Sequence, residues 1–108
     1  MREPDGTGMD EYEGCGDQAR FYLRVRGGVV AEARFQAYGC GPTIAAASAA
    51  SERVTGRPVE ALVSLKAQEI EDAVDGLPED RKHAADVVAG ALRAAALDAL
   101  RRGREGVD

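Results

Sequence analysis

Ala37-Tyr38-Gly39-Cys40-Gly41-Pro42-Thr43-Ile44 is the stretch at which the chain changes its period. Before it, apolar and polar side chains alternate; after it, small residues recur three and four apart, so a strand gives way to a helix here. Glycines on both sides of Cys40 relax the backbone at the junction and allow it to approach a bound atom closely. Pro42 suits the first turn of a helix, where its missing N–H would have no partner anyway. A thiol facing a helix N-terminus is biased towards thiolate and titrates at roughly 3.5–7.5 instead of near ~8.5. Thiolate is the form that binds metal or carries sulfur. The same position also suits a small buried hydrophobe at a turn.

Upstream, Phe21, Leu23 and Val25 alternate with Tyr22, Arg24 and Arg26, the pattern of a half-buried strand over residues 19–26. Gly27-Gly28 then supplies a tight turn. In the next run Ala31, Ala33, Phe35 and Ala37 oppose Glu32, Arg34 and Gln36, predicting an antiparallel hairpin with one wet face. On that face Arg24, Arg26 and Arg34 can meet Glu32, in exposed pairs worth about 0–1 kcal/mol that imply no function. Residues 1–13 are acidic and broken by Pro4, Gly6 and Gly8. They read as a flexible segment, extended or disordered, with room for a short edge strand near Met9–Tyr12.

Downstream, a helix is expected over 42–55, with Ile44, Ala47, Ser51 and Val54 on its inner seam and Gly56 as its stop. Pro58 opens a short helix through Leu65, and another follows over 68–74, ended by Asp75-Gly76-Leu77-Pro78. A last helix starts near Glu79 and buries Ala84, Val87, Val88, Ala91, Leu92, Ala95 and Ala99, with arginines suited to its C-terminus. Strands first and helices after, without alternation, give an α+β fold: an antiparallel sheet with helices packed on one face.

The chain has 108 residues, 44% of them hydrophobic, which is enough for one core and too little for two. With 14 basic and 19 acidic residues the net charge is −5, and no basic face forms apart from Arg101, Arg102 and Arg104, so no nucleic-acid groove is expected. No run approaches the ~20 apolar residues of a membrane span, and the first residues lack the pattern of a signal peptide. A cytoplasmic protein is expected. In that reducing compartment two cysteines point to binding or reactive thiols, with a redox disulfide between them as the plain chemical alternative.

The second cysteine lies in Gly14-Cys15-Gly16-Asp17, and in an extended chain residues two apart point the same way, so Cys15 and Asp17 converge. The chain's one histidine, His83, sits in the first turns of the last helix. A lone histidine is most often a surface residue. Yet two thiolates, a carboxylate and an imidazole are donors that a tetrahedral zinc site takes.

Gly14-Cys15-Gly16-Asp17, Phe35-Gln36-Ala37-Tyr38-Gly39-Cys40-Gly41, Ile44-Ala45-Ala46-Ala47-Ser48, Gly56 and Leu77-Pro78 with His83 together resemble the NifU/IscU-type iron–sulfur cluster assembly scaffolds. The likeness runs from Gly6 to Asp98 and places a domain at residues 14–102 between the acidic segment and a flexible tail over 103–108. It implies a three-stranded sheet and a site for a transient [2Fe–2S] cluster or iron, with zinc as a substitute, held by Cys15, Asp17, Cys40 and His83. It further implies a non-enzymatic scaffold that takes sulfur from a cysteine desulfurase and passes clusters to recipient apo-proteins, with chaperone docking open. Asp17 matches the aspartate that tunes cluster lability. Three departures stand out. The family's third cysteine is replaced by Ala84, the segment that usually precedes this region is short or missing, and Glu79-Asp80-Arg81-Lys82 stands in place of the chaperone-binding sequence. These departures open two alternatives: a structural zinc in an interaction or regulatory module, or sulfur relay by a persulfide on Cys15 or Cys40.

Overall fold

The computed structural model describes residues 4–12, 16–39, 41–77 and 82–105, with side chains through 102. Three antiparallel strands, β1 (Gly6–Tyr12), β2 (Asp17–Arg26) and β3 (Val29–Tyr38), form a sheet in the order β1-β2-β3. Helix α1 (Gly41–Val54), a 3₁₀ helix (Val59–Ser64), α2 (Ala67–Ala73) and α3 (His83–Glu105) follow. The α+β class and the helices on one face are as the sequence predicts.

The hairpin turns through Gly27-Gly28, both at positive φ, the conformation a two-residue turn needs when Arg26 pairs with Val29. Ala19, Phe21 and Leu23 of β2 are fully buried, and across the ladder Phe21 faces Phe35 with ring centroids 6.0 Å apart. The pairing shifts by one residue between Arg24 and Val25: Arg24 pairs with Glu32, but Val25 pairs with Val30. This bulge corrects the expected inner face of β3. Val30 is buried and Ala31 exposed, because the extra residue reverses the alternation beyond it. On the wet face Arg34 meets Glu32 at 2.8 Å, and the Arg34 guanidinium, hydrogen-bonded to the carboxylate, holds Glu32 below the usual carboxylate range.

Residues 6–12 depart furthest from expectation: the segment read as flexible is a full strand paired along its length with residues 17–23. Its inward positions Gly6 and Gly8 carry no side chain, and α3 lies directly on them. A Cβ on Gly8 would collide with Ala91 and Ala95 backbone atoms and come within 2.7 Å of the Ala94 carbonyl carbon. A Cβ on Gly6 would come within 2.7 Å of Ala99 Cβ. The match is reciprocal one turn earlier, where the Asp10 side chain occupies the space over Gly90. Small residues on both elements thus set how closely helix and strand approach.

The predicted inner face of α3 is buried at all seven positions. In α1 the seam is rotated: Thr43, Ala46, Ala47, Ala50 and Val54 are buried, whereas Ile44 is 45% exposed. Thr43, Ala47, Ala50 and Val54 have the same three-and-four spacing as the expected seam. Small residues on both sides of this helix leave the choice to its seating on β3. The short helices occur where expected, α2 closing at Asp75 and Gly76, both at positive φ. The expected start of the last helix at Glu79 lies outside the described residues, as does Pro78.

Both sheet edges are partly covered. Residues 56–59 run beside β3, with Val30 N–H donating to the Arg57 carbonyl at 2.9 Å and Val59 N–H to the Gly28 carbonyl at 2.9 Å. At the β1 edge, Thr7 N–H donates to the Asp98 carboxylate at 2.9 Å. Burial of Asp98 pushes its pKa up. The Thr7 N–H, the Arg101 hydrogen bond and the Arg102 charge outweigh that cost and hold the carboxyl below its ordinary value. Among the described residues no helix is long and apolar enough to cross a membrane.

Candidate functional site

One end of the sheet gathers the end of β1, the start of β2, the end of β3 and the first turn of α3. Tyr12 pairs with Asp17, and Gln18 with Tyr38, so three strand termini lie side by side. The β1–β2 connection is closed by Gly16 N–H donating to the Tyr12 carbonyl at 2.9 Å. Asp17, the first residue of β2, faces inward and is 2% exposed, one of two buried polar residues among those described; Thr43 is the other.

The Asp17 carboxylate lies against the backbone of Gly39. A Cβ there would come within 2.8 Å of Asp17 Cγ, and Gly39 has φ +132°, so both space and backbone conformation require glycine. Asp17 Oδ1 is the oxygen on that side, while Oδ2 meets His83 Nε2 at 2.6 Å. The His83 side chain is 13% exposed, and its ring stacks on Tyr12 with centroids 4.3 Å apart and planes 20° from parallel. Lys82, just before it, reaches back to Glu71 of α2 at 2.8 Å, and Arg93 donates to the Leu65 carbonyl at 2.6 Å, so α3 is tied to the preceding helices along its first half.

Of the four predicted site residues, Asp17 and His83 are brought together from 66 residues apart. Cys15 and Cys40 lie outside the described residues. Their described neighbours, Gly16 and Gly39, both belong to this end of the sheet. Among the described residues no group of three or more His, Cys, Asp or Glu side chains gathers to hold a metal. Ala84 is fully buried, on the inner face of α3 where the sequence places it. It is absent from the main apolar cluster, in which its neighbour Ala85 takes part.

Tyr12 escaped the sequence reading as a member of the constellation, and Gly39 was read only as one of the two glycines flanking Cys40. Tyr12 read only as the end of an edge strand, and its sole signal is its position three residues before Cys15.

Residues 1–105 match the model of the NifU-like N terminal domain. The chain belongs to this family. It is 30% identical over 102 residues to the iron-sulfur cluster assembly scaffold protein IscU 1 of Archaeoglobus fulgidus, covering 94% of this chain and 67% of that protein. Identity to the nitrogen fixation protein NifU of Cereibacter sphaeroides is 45% over 95 residues, 88% of this chain but 39% of the relative. The fold is also that of a nitrogen-fixing NifU-like protein (N-terminal) from Brucella abortus, with a TM-score of 0.62, 24% identity, and coverage of 97% of this chain and 83% of that one.

Proposed function

We propose that this NifU-like domain is an iron–sulfur cluster assembly scaffold, holding iron or a [2Fe–2S] cluster as cargo through Cys15, Asp17, Cys40 and His83. The observation that carries the reading is the Asp17–His83 pair, assembled at the end of the sheet from which both cysteine-bearing turns depart. Nitrogen and oxygen donors lie in contact there, the carboxylate shielded from water. Thiolates would supply the soft ligands that iron–sulfur clusters take. The same donor set accommodates zinc in place of iron. The names of the relatives, scaffold proteins among them, support the assignment.

On this reading the chain is not a catalyst. A cysteine desulfurase supplies sulfur, recipient apo-proteins take the finished cluster, and a chaperone is an optional third partner. Two thiolates in place of three hold a cluster weakly, which suits cargo that must leave. Ala84 favours a second reading, a zinc-held interaction module, because the residue beside His83 cannot ligate.

Anaerobic reconstitution with iron and sulfide tests the proposal. The expected result is visible absorption and a Mössbauer doublet of a [2Fe–2S] centre, lost in Cys40→Ala. A protein that takes up one zinc per chain under the same conditions, but no cluster, would establish the second reading instead. Uptake of neither metal nor cluster by folded, reduced protein refutes both.

A further inference from the structure

The outward side of α3 carries a stripe of residues at helical spacing. Gly90, Ala94, Leu97 and Arg101 follow at intervals of four, three and four, so they share one side of the helix. Leu97 is 53% exposed, whereas Val87, Val88 and Leu92 of the same helix are buried. Beside the stripe an open groove runs between α3 and the outer edge of β1, with Met9, Ala94, Leu97, Arg101 and Arg102 among its lining residues. Met9 is also exposed, so two large apolar side chains border the groove on the solvent side.

The two ends of this groove carry opposite charge. At one end Arg101 and Arg102 share the single carboxylate of Asp98, at 3.0 and 3.2 Å, which leaves one positive charge unbalanced. At the other end the Asp10 side chain lies over Gly90 with the exposed Glu11 next to it, and among the described residues neither carboxylate is in an ion pair. A surface with acid at one end, base at the other, and an apolar knob beside a small residue between them complements itself when turned by 180°.

We propose that a second copy of this chain occupies the groove: α3 packs antiparallel against its counterpart about a two-fold axis near Ala94 and Leu97, so that Leu97 enters the other copy's groove beside Ala94 and Arg101 meets the other copy's Asp10. The strand edge is not the contact. Thr7 N–H on that edge is already held by Asp98. Pairing two β1 strands at about 4.8 Å would also force the α3 helices, each seated on β1, inside the 8–10 Å at which helices pack. The groove begins eleven residues after His83, about 16 Å along the helix, so both Asp17–His83 pairs stay uncovered, one towards each end of the dimer. The pairing therefore does not depend on the cargo.

One helix face makes a small interface, so a dissociation constant of about 10–100 µM is expected. Sedimentation equilibrium of the full chain under reductant, from about 5 µM to 1 mM, should show a reversible monomer–dimer exchange. Leu97→Ala removes the knob from a solvent-facing position and should weaken the dimer about 10-fold with the fold intact by circular dichroism. Arg101→Glu and Asp10→Lys should each weaken it as well. Mixed in equal amounts, those two variants should dimerise more tightly than either alone, because every acid then faces a base again; a merely structural defect is not rescued in this way. If Asp10→Lys does not fold, Leu97→Ala decides alone. A chain still monomeric at 1 mM overturns the inference and leaves the groove to a different protein. Assemblies larger than a dimer, a Leu97→Ala affinity equal to the native one, or no gain on mixing the folded charge variants would each overturn it too.

Discussion

Gly8→Ala adds one methyl group where β1 meets α3, and its cost follows from what that carbon would strike. Its neighbours would be backbone atoms of Ala91, Ala94 and Ala95, the Ala94 carbonyl carbon at 2.7 Å. Carbon atoms rest at about 3.5–4.0 Å, so helix and strand must separate by roughly 1 Å or the substituted strand must twist. Overpacking a core by one methyl costs about 1–3 kcal/mol when side chains can yield. Here helix backbone must yield, which places the cost at the upper end. The stiffer unfolded chain returns about 0.4–1 kcal/mol. A net loss of about 2 kcal/mol lowers the melting temperature of a domain this size by about 8–15 °C. Thermal and urea unfolding followed by circular dichroism measure it. Gly41→Ala is the control: nothing lies within 4 Å of its added carbon, and Gly41 is the first residue of α1, so stability should not fall. If Gly8→Ala lies within about 0.5 kcal/mol of the native protein, the seating of α3 on bare backbone is wrong.

Asp98 has a depressed folded-state pKa, so its stabilisation is complete above its ordinary value of ~3.9 and is lost as pH falls below that. Asp98→Ala should therefore cost about 1–2 kcal/mol at pH 7, with the gap to the native protein closing below about pH 4; a gap independent of pH refutes the linkage. A double-mutant cycle on Asp17→Ala and His83→Ala, read by urea unfolding of metal-free protein, should give a coupling of about 1–3 kcal/mol, and additivity would mean that the 2.6 Å contact carries no energy. Ala84→Cys inserts a sulfur at a fully buried position, so the melting temperature should drop while cluster yield on anaerobic reconstitution rises. Unchanged yield in the two proteins would mean that a third thiolate at this position adds nothing.

Elements whose side chains carry a hydropathic signal were legible in the sequence. Phe21, Leu23, Val87 and Leu92 announce their faces, and the hairpin and α3 follow from them. Gly6 and Gly8 announce nothing, because what they contribute is the absence of a side chain against a helix some ninety residues later. Acidic neighbours and glycines then read as a flexible segment. The bulge after Arg24 was hidden for a related reason: alternation fixes parity within a strand but not an extra residue opposite it, and Val29-Val30-Ala31 offers apolar side chains for either phase. In α1 the one isoleucine, Ile44, drew the seam to itself, while the structure seats the helix on Thr43, Val54 and alanines. At the candidate site Asp17 and His83 were legible as donor types in motifs. Their direct contact was not, and neither was Tyr12, since stacking across a strand end leaves no periodic trace.

The close seat of α3 on Gly6 and Gly8 also bears on the order of events in synthesis. Tyr12 and Asp17 leave the ribosome early, whereas His83 emerges after most of the chain and reaches the carboxylate only once its helix has docked across the two glycines. A nascent chain with the hairpin formed therefore lacks the imidazole that meets the Asp17 carboxylate in the finished fold. The arrival of the helix brings imidazole to carboxylate, so the pair exists only once the fold is complete.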